Sequence, residues 1–139
     1  MIQSLRGAFA QEAETTIMLD LAGNVTEGPG FNVFALTDAG LKTPQRGALE
    51  GITRRTAIEL AAELGVPCAE ARITLEELLG AREVFGTSTA GGILPFGLIE
   101  GRTIGDGRPG PLTRQIRQGL ADRQASPAWT VGVDELLAG

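Results

Sequence analysis

The chain has 139 residues, of which 42% are hydrophobic and 21% are charged, as is typical of one globular domain. Its formal net charge of −5 and the lack of a basic cluster argue against nucleic-acid binding. No apolar run is long enough to cross a membrane, and the start carries no signal-peptide core. A single cysteine, Cys68, excludes an internal disulfide and is expected to be a small buried residue. We therefore expect a cytoplasmic protein.

The first third of the chain is predicted to be a short helix followed by a meander of strands. Residues 1–13 are predicted to form a remnant helix, because Ile2, Leu5 and Phe9 would share one face. Apolar and β-branched runs separated by turn residues then predict short strands. These strands are expected over residues 15–21, 25–27, 31–37 and 41–43.

The rest of the chain is predicted to alternate helices and strands. Apolar residues at helical spacing predict a helix between Gly51 and Gly65, and the capping-box pair Thr74 and Glu77 predicts a second, short helix. Further elements are expected as strands over 66–73, 83–85 and 93–99, a helix over 111–121, and a weakly patterned tail over 122–139. Because tight turns join several strands, we expect one α/β domain over 1–139 with a mixed sheet.

Two missing residue types limit the chemistry. The sequence contains no histidine and no tyrosine, which excludes Ser-His-Asp and Cys-His catalysis and a histidine-based metal site. Its only lysine is Lys42, which is predicted to be a solvated surface residue. Arg54 and Arg55 are likewise predicted to lie on a solvated helix face. Any catalysis must therefore use carboxylates, hydroxyls, backbone amides, a cofactor or Lys42.

The candidate functional features are a carboxylate, a helix start and a hydroxyl-containing loop. Glu27 precedes Gly28-Pro29-Gly30, where its carboxylate could bond a protonated ring nitrogen or could simply be solvated. Gly51-Ile52-Thr53-Arg54 opens a helix whose first turn could bind a phosphate, although Thr53 could also serve only as a cap. Ser88-Thr89-Ala90-Gly91-Gly92 could bring amides and a hydroxyl to a phosphate, or could be an ordinary loop.

Taken together and in this order, the motifs resemble those of the class IV aminotransferases, the fold-type IV enzymes that use pyridoxal 5′-phosphate (PLP). The resemblance is carried by Glu27-Gly28-x-Gly30-Phe31-Asn32, Leu49-x-Gly51-Ile52-Thr53-Arg54 and Thr89-Ala90-Gly91-Gly92. It leans toward the branched-chain and (R)-amine transaminase branch. It implies an α/β fold with a mixed-sheet pseudo-barrel and flanking helices, similar to the C-terminal domain of D-amino-acid aminotransferase-like enzymes.

The resemblance also implies a role for each motif residue. The implied cofactor-binding residues are Glu27, Leu49, Gly51, Ile52, Thr53 and Thr89. Glu27 would pair with the pyridine nitrogen, Leu49 would pack on the ring face, and the other four would surround the phosphate. Ser88 and Ala90 would line the substrate side. No metal ion is implied.

The sequence departs from the family pattern at the position of the reactive amine. The Schiff-base lysine of the family would fall just before Met1, and Lys42 does not match its position. The family's ring-contacting tyrosine and its N-terminal domain also have no counterpart in the sequence. We therefore expect the C-terminal, cofactor-binding domain of an aminotransferase, inactive as given, with PLP bound non-covalently or not at all.

Two functions remain open at this point. In the first, the intact enzyme is a homodimer that moves an amino group from an amino acid or amine to a 2-oxo acid. In the second, the chain is a non-catalytic phosphate-ligand-binding or assembly module that pairs with itself or with a separate N-terminal partner. Neither function involves nucleic acid or a membrane.

Overall fold

The computed structural model describes residues 3–9, 14–45, 51–88 and 92–125. Within them, nine strands form one sheet and three helices accompany it. The strands are β1 (Gln3–Phe9), β2 (Glu14–Leu19), β3 (Glu27–Gly28), β4 (Phe31–Thr37), β5 (Gly40–Thr43), β6 (Cys68–Glu70), β7 (Glu83–Ser88), β8 (Gly92–Ile99) and β9 (Arg102–Thr103). The helices are α1 (Ile52–Glu63), α2 (Leu75–Leu79) and α3 (Pro111–Ala125). None of these helices is long and apolar enough to cross a membrane.

The sheet is mixed and closes on itself. Its order is β2-β1-β8-β7-β4-β5-β6, with β3 paired to β4 and β9 paired to β8. β5 and β6 run parallel because α1 connects them, whereas the other pairs are antiparallel. A bridge between Leu19 and Val25, and a hydrogen bond of 2.8 Å from Thr26 N–H to Met18 O, join edge strand β2 to the segment that enters β3. The predicted mixed-sheet pseudo-barrel is therefore confirmed.

Two hydrophobic clusters fill opposite faces of the sheet. Alternation along β4 sends Val33 and Ala35 into the cluster that also packs α2, and sends Phe34 into the cluster beneath α1 and α3. Phe34 stacks on Phe85 of β7, with ring centroids 4.9 Å apart. Because β4 and β7 are covered on both faces, five consecutive residues of each strand are buried.

Polar contacts fix α1 and α3 against the sheet. The buried Glu83 carboxylate accepts hydrogen bonds from Leu112 N–H, Thr113 N–H and Thr113 Oγ1, at 3.2, 2.8 and 2.7 Å, and thereby caps the start of α3. Farther along α3, the Arg123 guanidinium pairs with Glu59 and Glu63 of α1, each at 2.8 Å. The position of α1 is thus tied through α3 to strand β7.

Most predicted elements are confirmed, but the N-terminal helix is wrong. Gln3–Phe9 is strand β1, which pairs with β2 on one side and β8 on the other. Three apolar residues cannot separate a helical from an extended segment, and pairing on both edges satisfies the backbone of this one. The strand predicted over 66–73 shortens to Cys68–Glu70, and the tail predicted from 122 is still helical as far as Ala125. The capping box of Thr74 and Glu77 is confirmed.

Candidate functional site

A cavity of about 370 Å³ lies where β3, β4 and β7 meet the start of α1. Its wall is built from residues 27–32, from Gly51, Thr53 and Arg54, from Thr87 and Ser88, and from Met18. This volume is in the range of pockets that hold small organic ligands. The cavity therefore brings together the separate sequence motifs that contain Glu27, Gly51, Thr53 and Ser88.

A row of three polar side chains crosses the sheet at this cavity. Glu27 of β3 lies opposite Asn32 of β4, and Asn32 lies opposite Thr87 of β7. Residues directly opposite in antiparallel strands project from the same face, so the three side chains share one side of the sheet. Two interstrand spacings place the backbones of Glu27 and Thr87 about 10 Å apart. This row of side chains can therefore contact both ends of a single ligand.

The first turn of α1 lies close above this row. Its N-cap is Gly51, with extended φ and ψ of −114° and 151°, and its first turn carries no acidic side chain. A Cβ on Gly51 would lie 3.1 Å from Asn32 Oδ1, which shows how closely the helix start approaches β4. The first N–H groups of a helix have no partner within the helix and carry the positive end of its dipole. This helix start is therefore suited to an anion.

Thr53 and Ile52 have different positions in that turn. Thr53 lines the cavity. The N-cap of α1 is Gly51, so the alternative in which Thr53 serves only as the helix cap is excluded. Ile52 is 81% exposed. A role for Ile52 in holding a phosphate would therefore fall to its backbone N–H and not to its side chain.

Arg54 is buried, which contradicts the predicted solvated face. It is 7% exposed and lies on the packed side of α1, three residues before the buried Ala57. Its Nη2 donates to Pro44 O at 3.2 Å and to Glu70 Oε1 at 2.8 Å, while its Nε is buried without a partner. Arg54 also lines the cavity, with its guanidinium paired to the Glu70 carboxylate.

The glycine loop that follows Glu27 makes room for an aromatic ring in the cavity wall. A Cβ on Gly28 would overlap the ring of Phe31, and one on Gly86 would lie 2.7 Å from it. Gly30 has a φ of +76°, which a residue with a side chain rarely adopts. The Phe31 ring also packs on Phe96, with centroids 5.5 Å apart. The lack of a side chain at Gly28 and Gly86 therefore makes room for the Phe31 ring.

Lys42 is neither solvated nor part of the cavity wall. Its Nζ donates to Glu77 Oε2, and its side chain is only 21% exposed. That hydrogen bond, together with the Thr74 backbone, lowers the pKa of the Glu77 carboxyl from its ordinary value of 4.5. The prediction of a solvated lysine is thus wrong, because Lys42 binds the carboxylate that also caps α2.

The structure places some predicted site residues and adds others. Glu27, Gly51, Thr53 and Ser88 line one cavity, whereas Leu49, Thr89 and Ala90 lie outside the described residues. Sequence reasoning assigned no role to three wall residues, namely Asn32, Arg54 and Thr87. Strand alternation offered a signal for Thr87, which lies two residues after the buried Phe85 on the same face. Within the described part of the chain, no group of acidic residues or cysteine is arranged to hold a metal ion.

Comparison with known proteins identifies the family. The sequence model of amino-transferase class IV matches residues 1–99. The chain belongs to the class IV aminotransferases. The resemblance of the sequence motifs to this family is therefore confirmed.

Relatives and solved structures agree with this assignment. A branched-chain-amino-acid aminotransferase of Pseudomonas aeruginosa is 42% identical over 120 residues, which cover 86% of this chain and 39% of the relative. A D-alanine aminotransferase of Bacillus licheniformis is 40% identical over 116 residues, covering 80% of this chain and 40% of the relative. The crystal structure of a branched-chain amino acid aminotransferase with pyridoxamine 5′-phosphate has a TM-score of 0.75 at 34% identity, covering 81% of this chain and 39% of that one. The chain thus spans about two fifths of the length of these relatives.

Proposed function

We propose that this chain is the PLP-binding portion of a class IV aminotransferase of the branched-chain branch. The observation that carries the proposal is the arrangement of the cavity wall. Glu27 lies in the row of polar side chains, and that row passes beneath the N-terminus of α1. A carboxylate at one end and anion-binding N–H groups at the other match a phosphorylated, nitrogen-containing ring. A related branched-chain enzyme was solved with pyridoxamine 5′-phosphate, which supports the same ligand class here.

The residues of this chain would bind and orient the cofactor. Glu27 would accept a hydrogen bond from the protonated ring nitrogen and so keep that proton in place. The first-turn N–H groups of α1 and the Thr53 hydroxyl would bind the phosphate. When bound, PLP supplies an electron sink for chemistry at the carbon next to an amino group. The family resemblance adds Leu49 on the ring face and Thr89 at the phosphate.

The same resemblance assigns the substrate side to Ser88 and Ala90. Ser88 lines the cavity at the end of β7, which supports its part of this assignment. The proposed reaction of the whole enzyme is transfer of an amino group from an amino acid or amine to a 2-oxo acid. The curated relatives include enzymes named for branched-chain amino acids and for D-alanine, so we propose no single substrate.

We further propose that the chain holds PLP without a covalent bond and has no turnover by itself. The only lysine in the sequence is Lys42, which is paired with Glu77 and does not line the cavity. A transaminase needs a free amine that can reach the cofactor, both for covalent attachment and for moving a proton. Lys42 does not meet this need.

Binding and covalent attachment can be separated by experiment. Titration of the 139-residue chain with PLP should give saturable, reversible binding that weakens when Thr53 is replaced by valine or Glu27 by glutamine. Borohydride treatment followed by mass spectrometry should leave the protein mass unchanged. No saturable binding would refute the cofactor-binding function. A borohydride-stable adduct together with amine turnover would refute the claim that no reactive amine reaches the site.

A second candidate function is an assembly module that keeps the phosphate site but does no chemistry. It is favoured by Ile52, which is 81% exposed although both of its neighbours in sequence line the cavity. An apolar side chain at the edge of a ligand site suits contact with another protein surface. We propose a homodimer as the default assembly in either function. Analytical ultracentrifugation should show self-association that weakens in Ile52→Asp, and a monomer at high concentration would refute this part.

A further inference from the structure

Two buried polar atoms in the described residues lack a hydrogen-bond partner, and both belong to residues that line the cavity. They are Arg54 Nε and Thr87 Oγ1. Buried polar groups in folded proteins nearly always have a partner, because leaving one unpaired is costly. Their common location therefore indicates a ligand that supplies the missing partners.

Thr87 is an exception among the buried threonines of the described residues. Thr26, Thr43 and Thr113 donate their hydroxyls to Met18 O, Val33 O and Glu83 Oε1 at 2.9, 2.8 and 2.7 Å. Thr87 is only 1% exposed and has no such acceptor. A valine of the same shape would fill this strand position without an unpaired hydroxyl. The hydroxyl of Thr87 is therefore not explained by packing.

The chemistry of the missing partner follows from the two atoms. An arginine Nε–H can only donate, and a threonine hydroxyl can donate, so one ligand that satisfies both must present acceptors. The row that contains Thr87 passes beneath the first turn of α1, because Asn32 is opposite Thr87 and its Oδ1 approaches Gly51. An anion held at that helix start would place oxygen acceptors above the row.

We propose that Thr87 is an additional binding residue for the phosphate group of the ligand, donating its hydroxyl from β7 to a phosphate oxygen. This inference rests on the proposed PLP-binding function and adds to it a hydrogen-bond donor from strand β7. The phosphate would then be bound from α1 on one side and from β7 on the other. Arg54 Nε, the other unpaired donor, faces the same need for an acceptor.

The test compares ligands with and without a phosphate group. Pyridoxamine 5′-phosphate and pyridoxamine are titrated into the wild-type chain, Thr87→Val, Thr87→Ser and the matched control Thr43→Val, which is equally buried but already paired. A lost hydrogen bond to a charged acceptor predicts about tenfold weaker binding of pyridoxamine 5′-phosphate by Thr87→Val. Pyridoxamine binding should not change, and Thr87→Ser should restore most of the affinity.

Thermal unfolding of the ligand-free proteins distinguishes binding from folding. Thr87→Val should have an unchanged or higher Tm, because it removes an unpaired buried hydroxyl. Thr43→Val should have a lower Tm and unchanged affinity, because it loses a hydrogen bond between two residues that do not line the cavity. Wild-type affinity in Thr87→Val, or an equal loss for both ligands, would overturn the inference.

Inorganic phosphate separates this inference from the proposed function. It should raise the Tm of the wild-type chain more than that of Thr87→Val. If phosphate acts through Thr87 but pyridoxamine 5′-phosphate does not bind, then the PLP function fails and the Thr87 inference stands. If neither ligand affects the wild-type chain, both are overturned.

Discussion

Replacing Gly51 with aspartate would place a carboxylate at the N-cap of α1, where we expect a phosphate to bind. The extended backbone at Gly51 accepts a side chain, although its Cβ would lie 3.1 Å from Asn32 Oδ1 and require a small shift. Aspartate is a better N-cap than glycine by a few tenths of a kcal/mol. We therefore expect the free energy of unfolding of Gly51→Asp to stay within about 1 kcal/mol of the wild-type value.

Ligand binding should respond far more strongly than stability. Two unit charges about 4 Å apart near a protein surface repel each other by about 4 kcal/mol. Even half of this repulsion corresponds to about thirtyfold weaker binding. Gly51→Asn is the matched control, because asparagine has nearly the same shape and also caps a helix but carries no charge. Its affinity loss should be much smaller.

The assay is titration with pyridoxamine 5′-phosphate at low and high salt, with urea unfolding of the same samples. The difference between the aspartate and asparagine variants should shrink as salt screens the repulsion. Equal affinities of the two variants at low salt would refute the assignment of the phosphate to the start of α1. A large loss of stability in both variants would instead mean that the contact with Asn32 cannot relax.

Three further predictions concern stability and reactivity. Glu83→Ala should lower the free energy of unfolding by about 3 kcal/mol, because it leaves three donors at the start of α3 unpaired. The control Glu59→Ala should lower it by less than about 1 kcal/mol, because the Glu59 carboxylate forms an exposed ion pair. Equal losses in urea unfolding would contradict this. Because Lys42 lowers the pKa of Glu77 below its unfolded value of 4.5, Glu77 should stabilise the fold above that pH and lose this effect as pH falls through its folded-state pKa. Acid unfolding of Glu77→Gln should therefore lack part of this pH dependence. Burial raises the pKa of the Cys68 thiol to about 11, so alkylation at neutral pH should be slow in the folded chain and fast in urea.

Local sequence signals were sufficient for most elements and for part of the site. Strand β4 was predicted with its observed bounds, because apolar residues alternate between two glycine-containing turns. The capping box of Thr74 and Glu77 is a purely local interaction, so it was also readable from sequence. Glu27 and Thr53 were recognisable because each belongs to a motif with a fixed spacing.

The features that sequence did not reveal depend on contacts between distant segments. Strand β1 forms because β2 and β8 pair with it, and the amino-acid composition of β1 does not show that these partners exist. The burial of Arg54 depends on Pro44 and Glu70, which lie in other elements. The polar row through Thr87 depends on the register between β3, β4 and β7, which no single stretch of sequence contains.

Strand β7 carries the capping residue of α3 near its start and the cavity hydroxyl near its end. Glu83 and Thr87 are four residues apart, and they project from the same face of the sheet. Inserting or deleting one residue between them would turn one of the two side chains to the opposite face. The turn at Glu100 and Gly101, in contrast, is exposed and carries no buried side chain. In a library of single-residue insertions and deletions, we therefore expect the segment 83–87 to reject every change in length, while the turn that follows β8 accepts them.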